Sequence, residues 1–166
     1  KKRFFRSSRV INKLMKYSKK NFSSENNNQY IYAPTGLSGE YIYFPYRQLP
    51  DDIYLDHWEY ILETSPNIFI ILHPKSYPNK ANAKYAKFKK KWSHRILNKS
   101  LYFYIYNQAN KIFIVDHLST TSSELLAARK KLIYLDIRIR KIDKPYLKAF
   151  SEDNVIIDYK DLYKNS

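Results

Sequence analysis

Short apolar runs alternate with amphipathic stretches along most of the chain. Runs rich in β-branched and aromatic residues predict strands at 29–33, 68–72, 112–115, 132–135 and 155–157. The runs at 68–72 and 112–115 are continuously apolar, which is typical of strands that are buried on both faces of a sheet. Pro34 closes the first strand, and the pair His73-Pro74 closes the second.

The stretches between these runs have the apolar spacing of helices. A helix is predicted to begin at Asp51 or Asp52 and to stop at Ser65-Pro66, and further helices are predicted at 80–97 and 120–130. Residues 99–109 fit a strand by propensity, but the spacing of Tyr102 and Tyr106 favours a helix. A short helix is predicted from Pro145 to Phe150.

The order β-α-β-α-α-β-α-β-α-β indicates an α/β fold. Such alternation predicts a Rossmann-like parallel sheet with helices on both faces and right-handed connections. We expect two parts, a basic N-terminal helix and linker at 1–28 and a Rossmann-like domain at 29–166. Because the chain begins without Met, we also expect it to be part of a longer protein.

Composition narrows the classes of partner. The chain has no Cys and only two Gly, which excludes thiolate metal sites and Gly-rich nucleotide motifs. Its formal net charge is +15, and residues 1–20 and 75–99 each carry nine Lys and Arg without one acid. Such a charge predicts an anionic partner, for which nucleic acid, an anionic membrane and a nucleotide diphosphate all qualify.

Three polar clusters follow predicted strands, and they supply the candidate site. They are Pro34-Thr35, His73-Pro74-Lys75 and the segment 116–121. Ligands of parallel sheets bind at the carboxyl ends of strands. We therefore expect these clusters to converge at one edge of the sheet.

The third cluster is the most informative, because Ser and Thr hydroxyls stand at a predicted helix start. Free N–H groups and the helix dipole make such a start a phosphate site, with the hydroxyls of Ser119, Thr120 and Thr121 as added donors. Ordinary helix capping explains the same residues equally well, since Thr121 and Glu124 have the spacing of a capping box. The sequence leaves both interpretations open.

Histidines and basic residues offer further candidates. His73 could donate to a phosphate or act as an acid, or it could simply be held by backbone groups at the strand end, and Pro74 would fix its direction. His117 is a weaker candidate, and His57 and His94 are predicted on helix surfaces without a role. No pair of carboxylates and no metal-ligand cluster stands out.

The basic helix at 80–97 has two interpretations. Its lysines interleave with aromatic residues, a pattern that suits single-stranded nucleic acid. However, Tyr85, Phe88, Trp92 and Ile96 fall on one face, which favours packing in the core.

Four blocks in order resemble the C-terminal domain of CDP-glycerol glycerophosphotransferases and related surface-polysaccharide transferases. They are Tyr32-Ala33-Pro34-Thr35, Leu72-His73-Pro74, the segment 109–124 and the segment 131–136. The resemblance covers about residues 29–160. It implies the C-terminal half of a GT-B fold, which binds a nucleotide-activated donor.

By this resemblance, Thr35, His73 and Ser119, Thr120 and Thr121 contact the donor diphosphate, with His73 as the candidate catalytic residue. Pro74, Asp116 and Glu124 support the turn. The donor is of the CDP, CMP or UDP type, without a metal or a further cofactor. The acceptor is a polysaccharide or a lipid-linked acceptor.

The resemblance also implies an N-terminal GT-B domain in the same full-length chain, and we expect the present chain alone to be inactive. The implied location is cytoplasmic, with basic residues on the anionic inner membrane face. The competing hypothesis is a basic RNA-binding α/β protein without catalytic activity.

Overall fold

The computed structural model describes residues 30–37, 51–74, 83–108, 111–137 and 150, and the backbone of 155–158. These residues form five strands, four helices and one 3-10 turn. The strands are β1 (Tyr30–Ala33), β2 (Ile68–Ile70), β3 (Ile112–Val115), β4 (Lys131–Asp136) and β5 (Val155–Asp158). The helices are α1 (Asp51–Thr64), α2 (Ala83–Lys91), α3 (Leu101–Asn107) and α4 (Thr120–Ala127), with the 3-10 turn at Ser93–Arg95.

All five strands are parallel and lie in the order β2-β1-β3-β4-β5. A single parallel bridge between Ile70 and Ile96 adds a rudimentary strand outside β2, where the Leu97 N–H donates to the Ile70 carbonyl at 2.8 Å. With this bridge counted as a strand, the order becomes the 3-2-1-4-5-6 order of Rossmann folds. The predicted fold class is confirmed.

Helices cover both faces of the sheet. Successive side chains of each strand point to opposite faces and contribute to two separate buried clusters. Tyr32, Ile114 and Ile133 belong to one buried cluster, to which α1 and α2 contribute. Phe113 and Leu132 belong to a second cluster, to which α3 and α4 contribute. The continuous apolar runs of the sequence therefore mark strands that are packed on two sides.

Helix α1 begins and ends where its polar residues predict. Asp51 and Asp52 lie in its first turn, where carboxylates favour the positive end of the helix dipole. Its buried residues recur at helical spacing, and the largest of them, Trp58, is fully enclosed. The helix stops at Thr64 because Pro66 disfavours helical backbone at the residue before it.

The helix predicted at 80–97 is shorter in the structure, where it ends at Lys91. The buried side chain of Arg95 explains the early end, because its Nε donates to the Ile68 carbonyl at 2.7 Å and its guanidinium also bonds to the Ser65 carbonyl. These bonds draw the chain to the amino end of β2, and Ile96 then joins the sheet. Packing in the core was predicted correctly for this helix, since Phe88 and Trp92 are buried.

The remaining elements correct the predictions in detail. Within the predicted range 99–109, Leu101–Asn107 form a helix, α3, as the spacing favoured. Helix α4 ends at Ala127 rather than near Lys130, because Arg129 adopts a left-handed backbone with φ of 52°. The predicted segment 1–28 and most of the helix from Pro145 lie outside the described residues; Phe150 is helical and buried.

Candidate functional site

The carboxyl ends of β1 and β3 lie side by side at the centre of the sheet. From β1 the chain passes through α1 to β2 on one side, and from β3 it passes through α4 to β4 on the other. The order of strands therefore reverses between β1 and β3. Ligands of open α/β sheets bind in the crevice at this switch point, so Thr35 and Asp116 stand where a ligand site is expected.

Three side chains join the two strand ends, and we call Tyr32, Thr35 and Asp116 the β1–β3 staple. The Tyr32 hydroxyl donates to Oδ2 of Asp116 at 2.7 Å. The N–H and the hydroxyl of Thr35 both donate to Oδ1 of Asp116, at 2.8 and 2.9 Å. Both Thr35 donors are hydrogen-bonded to Asp116 in this structure. Thr35 therefore supports the crevice and does not offer those donors to a ligand.

Two of the three staple residues are buried, and burial dominates the electrostatics of both. Asp116 is 1% exposed and Tyr32 is 0% exposed. Burial raises the pKa of the Asp116 carboxyl, whereas the hydrogen bonds from Tyr32 and Thr35 and the nearby His117 act to lower it. Burial and then the adjacent carboxylate raise the pKa of Tyr32 well above its ordinary value, so its hydroxyl remains a donor.

His73 lies half-buried beside the loop that follows β1. A Cβ atom at Gly36 would stand 3.0 Å from His73 Nδ1 and 3.2 Å from His73 Cβ. The absence of a side chain at Gly36 thus lets the imidazole lie against the backbone. His73, Gly36, Thr35 and Asp116 consequently form one continuous set of contacts across the carboxyl ends of β2, β1 and β3.

Helix α4 begins directly after this set. Ser119 is its N-cap, and the Ser122 hydroxyl accepts from the Ser119 N–H at 2.8 Å and donates to the Ser119 carbonyl at 2.7 Å. The predicted capping box of Thr121 and Glu124 is therefore wrong, and Ser119 and Ser122 form the box. A helix that begins at Thr120 leaves the N–H groups of Thr120 and Thr121 without carbonyl partners inside it.

Not all predicted site residues belong to this crevice. Glu124 lies a turn further along α4, where its carboxylate accepts from the Tyr102 hydroxyl at 2.7 Å. Its contact is therefore with α3 rather than with the turn. Pro74 is exposed at the end of the segment that follows β2.

His94 and His57, which were both predicted on helix surfaces, differ in their burial. His94 is exposed in the 3-10 turn, as predicted. His57 was predicted on a helix surface, but α1 turns it inward, where it is 7% exposed and meets the Tyr32 ring edge-on at 6.4 Å. Burial lowers the pKa of His57 to about 4, so the imidazole is neutral at pH 7.

Part of the basic helix α2 is engaged with acidic residues of α1. Lys84 lies 2.7 Å from the Asp56 carboxylate, and Lys91 lies 2.7 and 2.8 Å from the carboxylates of Glu59 and Glu63. Exposed pairs of this kind contribute little to stability. They do reduce the positive field that α2 would present to a nucleic acid.

Sequence reasoning missed three participants in the crevice. The sequence assigned no contact in the site to Tyr32, Gly36 or Ser122, although Tyr32 opens the first of the four resembling blocks. Of these, only Ser122 had a local signal, since it lies three residues after a serine that precedes an apolar helix.

The described residues contain no group of three or more His, Asp or Glu that could hold a metal ion. Within the same part of the chain, no helix is long and apolar enough to cross a bilayer. Comparison with family models, with curated proteins and with solved structures gave no match to this chain. The geometry of the switch point therefore carries the functional argument.

Proposed function

We propose that this chain binds the diphosphate of a nucleotide-activated donor in the crevice at the carboxyl ends of β1 and β3. The observation that carries the proposal is the convergence of His73, the β1–β3 staple and the start of α4 at the switch point of a parallel sheet. His73, the staple residues Thr35 and Asp116, and the start of α4 were expected there because each follows a strand in the sequence.

In the proposed complex, the start of α4 holds the phosphates. The N–H groups of Thr120 and Thr121, with the hydroxyls of Ser119, Thr120 and Thr121, are donors at the positive end of a helix. His73 donates from the β2 side and is the candidate catalytic residue, in the role of an acid towards the departing phosphate. Asp116 holds the loop of Thr35 in place and touches no phosphate itself.

The resemblance of the four ordered blocks to surface-polysaccharide transferases suggests the reaction. The donor is of the CDP, CMP or UDP type, and the acceptor is a polysaccharide or a lipid-linked precursor of a teichoic-acid-like polymer. The chain is then the donor half of a GT-B enzyme, whose N-terminal half supplies the acceptor site. We predict that the chain alone binds donor without transferring it, at a cytoplasmic location on the inner membrane face.

Amide chemical shifts followed during titration with CDP, UDP and CMP test the proposal. The amides of Thr35, His73 and residues 116–123 should shift with at least one nucleotide. The variant His73→Ala should bind that nucleotide about tenfold more weakly, as expected for the loss of one hydrogen bond to a charged group.

The matched control is His94→Ala, because His94 is an exposed histidine near the amino end of β2. This variant should bind as the unaltered chain does. Unchanged shifts at the crevice with all three nucleotides would contradict the proposal. Micromolar RNA binding that falls steeply with salt would favour the competing nucleic-acid hypothesis instead.

A further inference from the structure

Helix α3 presents an unusual concentration of exposed aromatic side chains. Four large apolar residues are exposed in the described part of the chain, and three of them lie on α3. Tyr102 is 53% exposed, Phe103 is 40% exposed and Tyr106 is 71% exposed. We call these three residues the aromatic face.

The geometry of α3 gathers the aromatic face on one side. Residues at positions i, i+1 and i+4 of a helix lie within a sector of about 100°. The rings of Tyr102 and Tyr106 are nearly parallel, at 4°, with centroids 6.4 Å apart. On the opposite side of the helix, Tyr104 and Ile105 are buried against the sheet, so the aromatic face points away from the core.

Basic residues bracket the aromatic face at both ends of α3. Lys99 Nζ lies 6.0 Å from the centre of the Phe103 ring at the amino end. At the carboxyl end, Lys130 Nζ donates to the carbonyl of Gln108 at 3.2 Å. Arg129, beside Lys130, is exposed and occupies a left-handed backbone position that favours glycine. The aromatic face is therefore positively charged at its margins.

We propose that the aromatic face docks on the surface of an anionic lipid bilayer. Tyrosine rings settle between headgroups and acyl chains, where their apolar body and polar tip are both satisfied, and the Phe103 ring adds apolar area. Lys99, Arg129 and Lys130 then reach anionic headgroups on either side. A net charge of +15 supplies the long-range attraction.

The shape of the surface favours a bilayer over a single-stranded nucleic acid. Single strands are held in basic grooves that follow the phosphate chain. The aromatic face instead stands on the outer side of α3, away from the buried Tyr104 and Ile105. The docking proposal rests on the proposed function in one respect, the choice of a lipid bilayer as the partner at the peripheral location.

Depth-dependent quenching tests the docking directly. Tyr106→Trp and the matched variant Ile53→Trp each place an indole at an exposed apolar position, the second on α1 across the sheet. With vesicles of phosphatidylglycerol and brominated phosphatidylcholine, the Tyr106→Trp protein should lose more fluorescence than the Ile53→Trp protein. The buried Trp58 and Trp92 contribute equally to both.

A binding measurement completes the test without any donor nucleotide, so its failure is distinct from failure of the crevice. Phe103→Ala with Tyr106→Ala should weaken binding to phosphatidylglycerol vesicles about tenfold, and Ile53→Ala should leave it unchanged. Equal quenching at positions 106 and 53, or unchanged binding by the double variant, would overturn the proposal. RNA binding that the double variant loses, without vesicle binding, would overturn it as well.

Discussion

The β1–β3 staple and the start of α4 are neighbours, but they are built from different kinds of contact. In the staple, Asp116 bonds to Tyr32 and Thr35, which lie 84 and 81 residues away along the sequence. At the start of α4, Ser119 and Ser122 bond to each other across three residues. One region depends on the whole fold, and the other depends on a single turn.

Burial sharpens this contrast. Asp116 is enclosed together with Tyr32, so a lost bond between them leaves polar groups without water to replace it, whereas Thr35 is half-buried. Ser119 and Thr121 are half-buried and Thr120 is exposed, so water can reach that turn. We infer that the staple fixes the shape of the crevice, whereas the start of α4 is free to exchange water for a ligand.

The largest effect is expected from Asp116→Ala. This change removes the acceptor of the buried Tyr32 hydroxyl and of both donors of the half-buried Thr35. The free energy of unfolding should fall by about 3 kcal/mol, because each buried donor without a partner costs about 1 to 3 kcal/mol and removal of a buried charge offsets part of the loss. Urea unfolding at pH 7 measures this change.

Asp116→Asn is the matched control for that prediction. The amide keeps one oxygen for Thr35, and its NH₂ group can donate to the Tyr32 oxygen. Its cost should be about 1 kcal/mol. If Asp116→Ala were as stable as Asp116→Asn, the staple would not hold the strand ends as argued.

Acid should lower the unfolding free energy through His57, which is buried and packs edge-on against Tyr32 of the staple. Its folded pKa of about 4 lies below the ordinary histidine value of 6.5, so the unfolded chain binds the proton first as the pH falls. Stability is therefore lost as the pH falls from 6.5 towards 4. At pH 4.5 the loss attributable to His57 should be on the order of 2 to 3 kcal/mol.

The comparison of the unaltered chain with His57→Gln isolates this contribution. Asp116 is present in both proteins, so its own titration cancels between them. The difference in unfolding free energy between pH 7 and pH 4.5 should be smaller for His57→Gln by the stated amount. Identical pH profiles of the two proteins would show that His57 is not buried as a neutral ring.

The fold could be predicted from the sequence because its signals are local. The apolar run of β3 has the predicted bounds, and α1 begins at Asp51 and stops before Pro66 as its end signals indicated. The end of α2 could not be predicted. It depends on Arg95, whose hydrogen bonds to the Ser65 and Ile68 carbonyls exist only once the 3-10 turn lies against β2.

The residues of the candidate site also divide into those with a local sequence signal and those placed by packing between distant elements. Thr35, His73 and Asp116 were predicted together because each follows a strand, and parallel strands end at one edge. The inward direction of His57 and the bond from Tyr32 to Asp116 had no local pattern, because they arise from packing between distant elements. The signal of Ser122 is local, but the pair Thr121 and Glu124 matches the usual capping-box sequence more closely.

A smaller effect is expected at the start of α4. Ser122→Ala removes the hydroxyl that accepts from the Ser119 N–H and donates to the Ser119 carbonyl. The unfolding free energy should fall by about 1 kcal/mol, the usual effect of a lost helix cap. Thr120→Ala is the control, because Thr120 is exposed, and it should change stability by less than about 0.5 kcal/mol.

The smallest effect is expected at the carboxyl end of α4, where a substitution should raise the unfolding free energy rather than lower it. Lys130 N–H donates to the Leu125 carbonyl and Arg129 N–H to the Leu126 carbonyl, the pair of bonds that ends a helix in a Schellman motif. This motif needs a left-handed residue, and Arg129 adopts that conformation with φ of 52°, where glycine is less strained.

Arg129→Gly should therefore raise the unfolding free energy by about 0.5 to 1 kcal/mol, since relief of the strained backbone outweighs the added flexibility of the unfolded chain. Ala128→Gly is the matched control. Its φ of −79° suits any residue, so glycine there should lower stability. Urea unfolding distinguishes the two signs. A higher unfolding free energy for Arg129→Gly would show that the local rules governing the end of α4 act independently of the long-range β1–β3 staple beside its start. A lower unfolding free energy would mean that the Arg129 side chain makes a stabilising contact of its own.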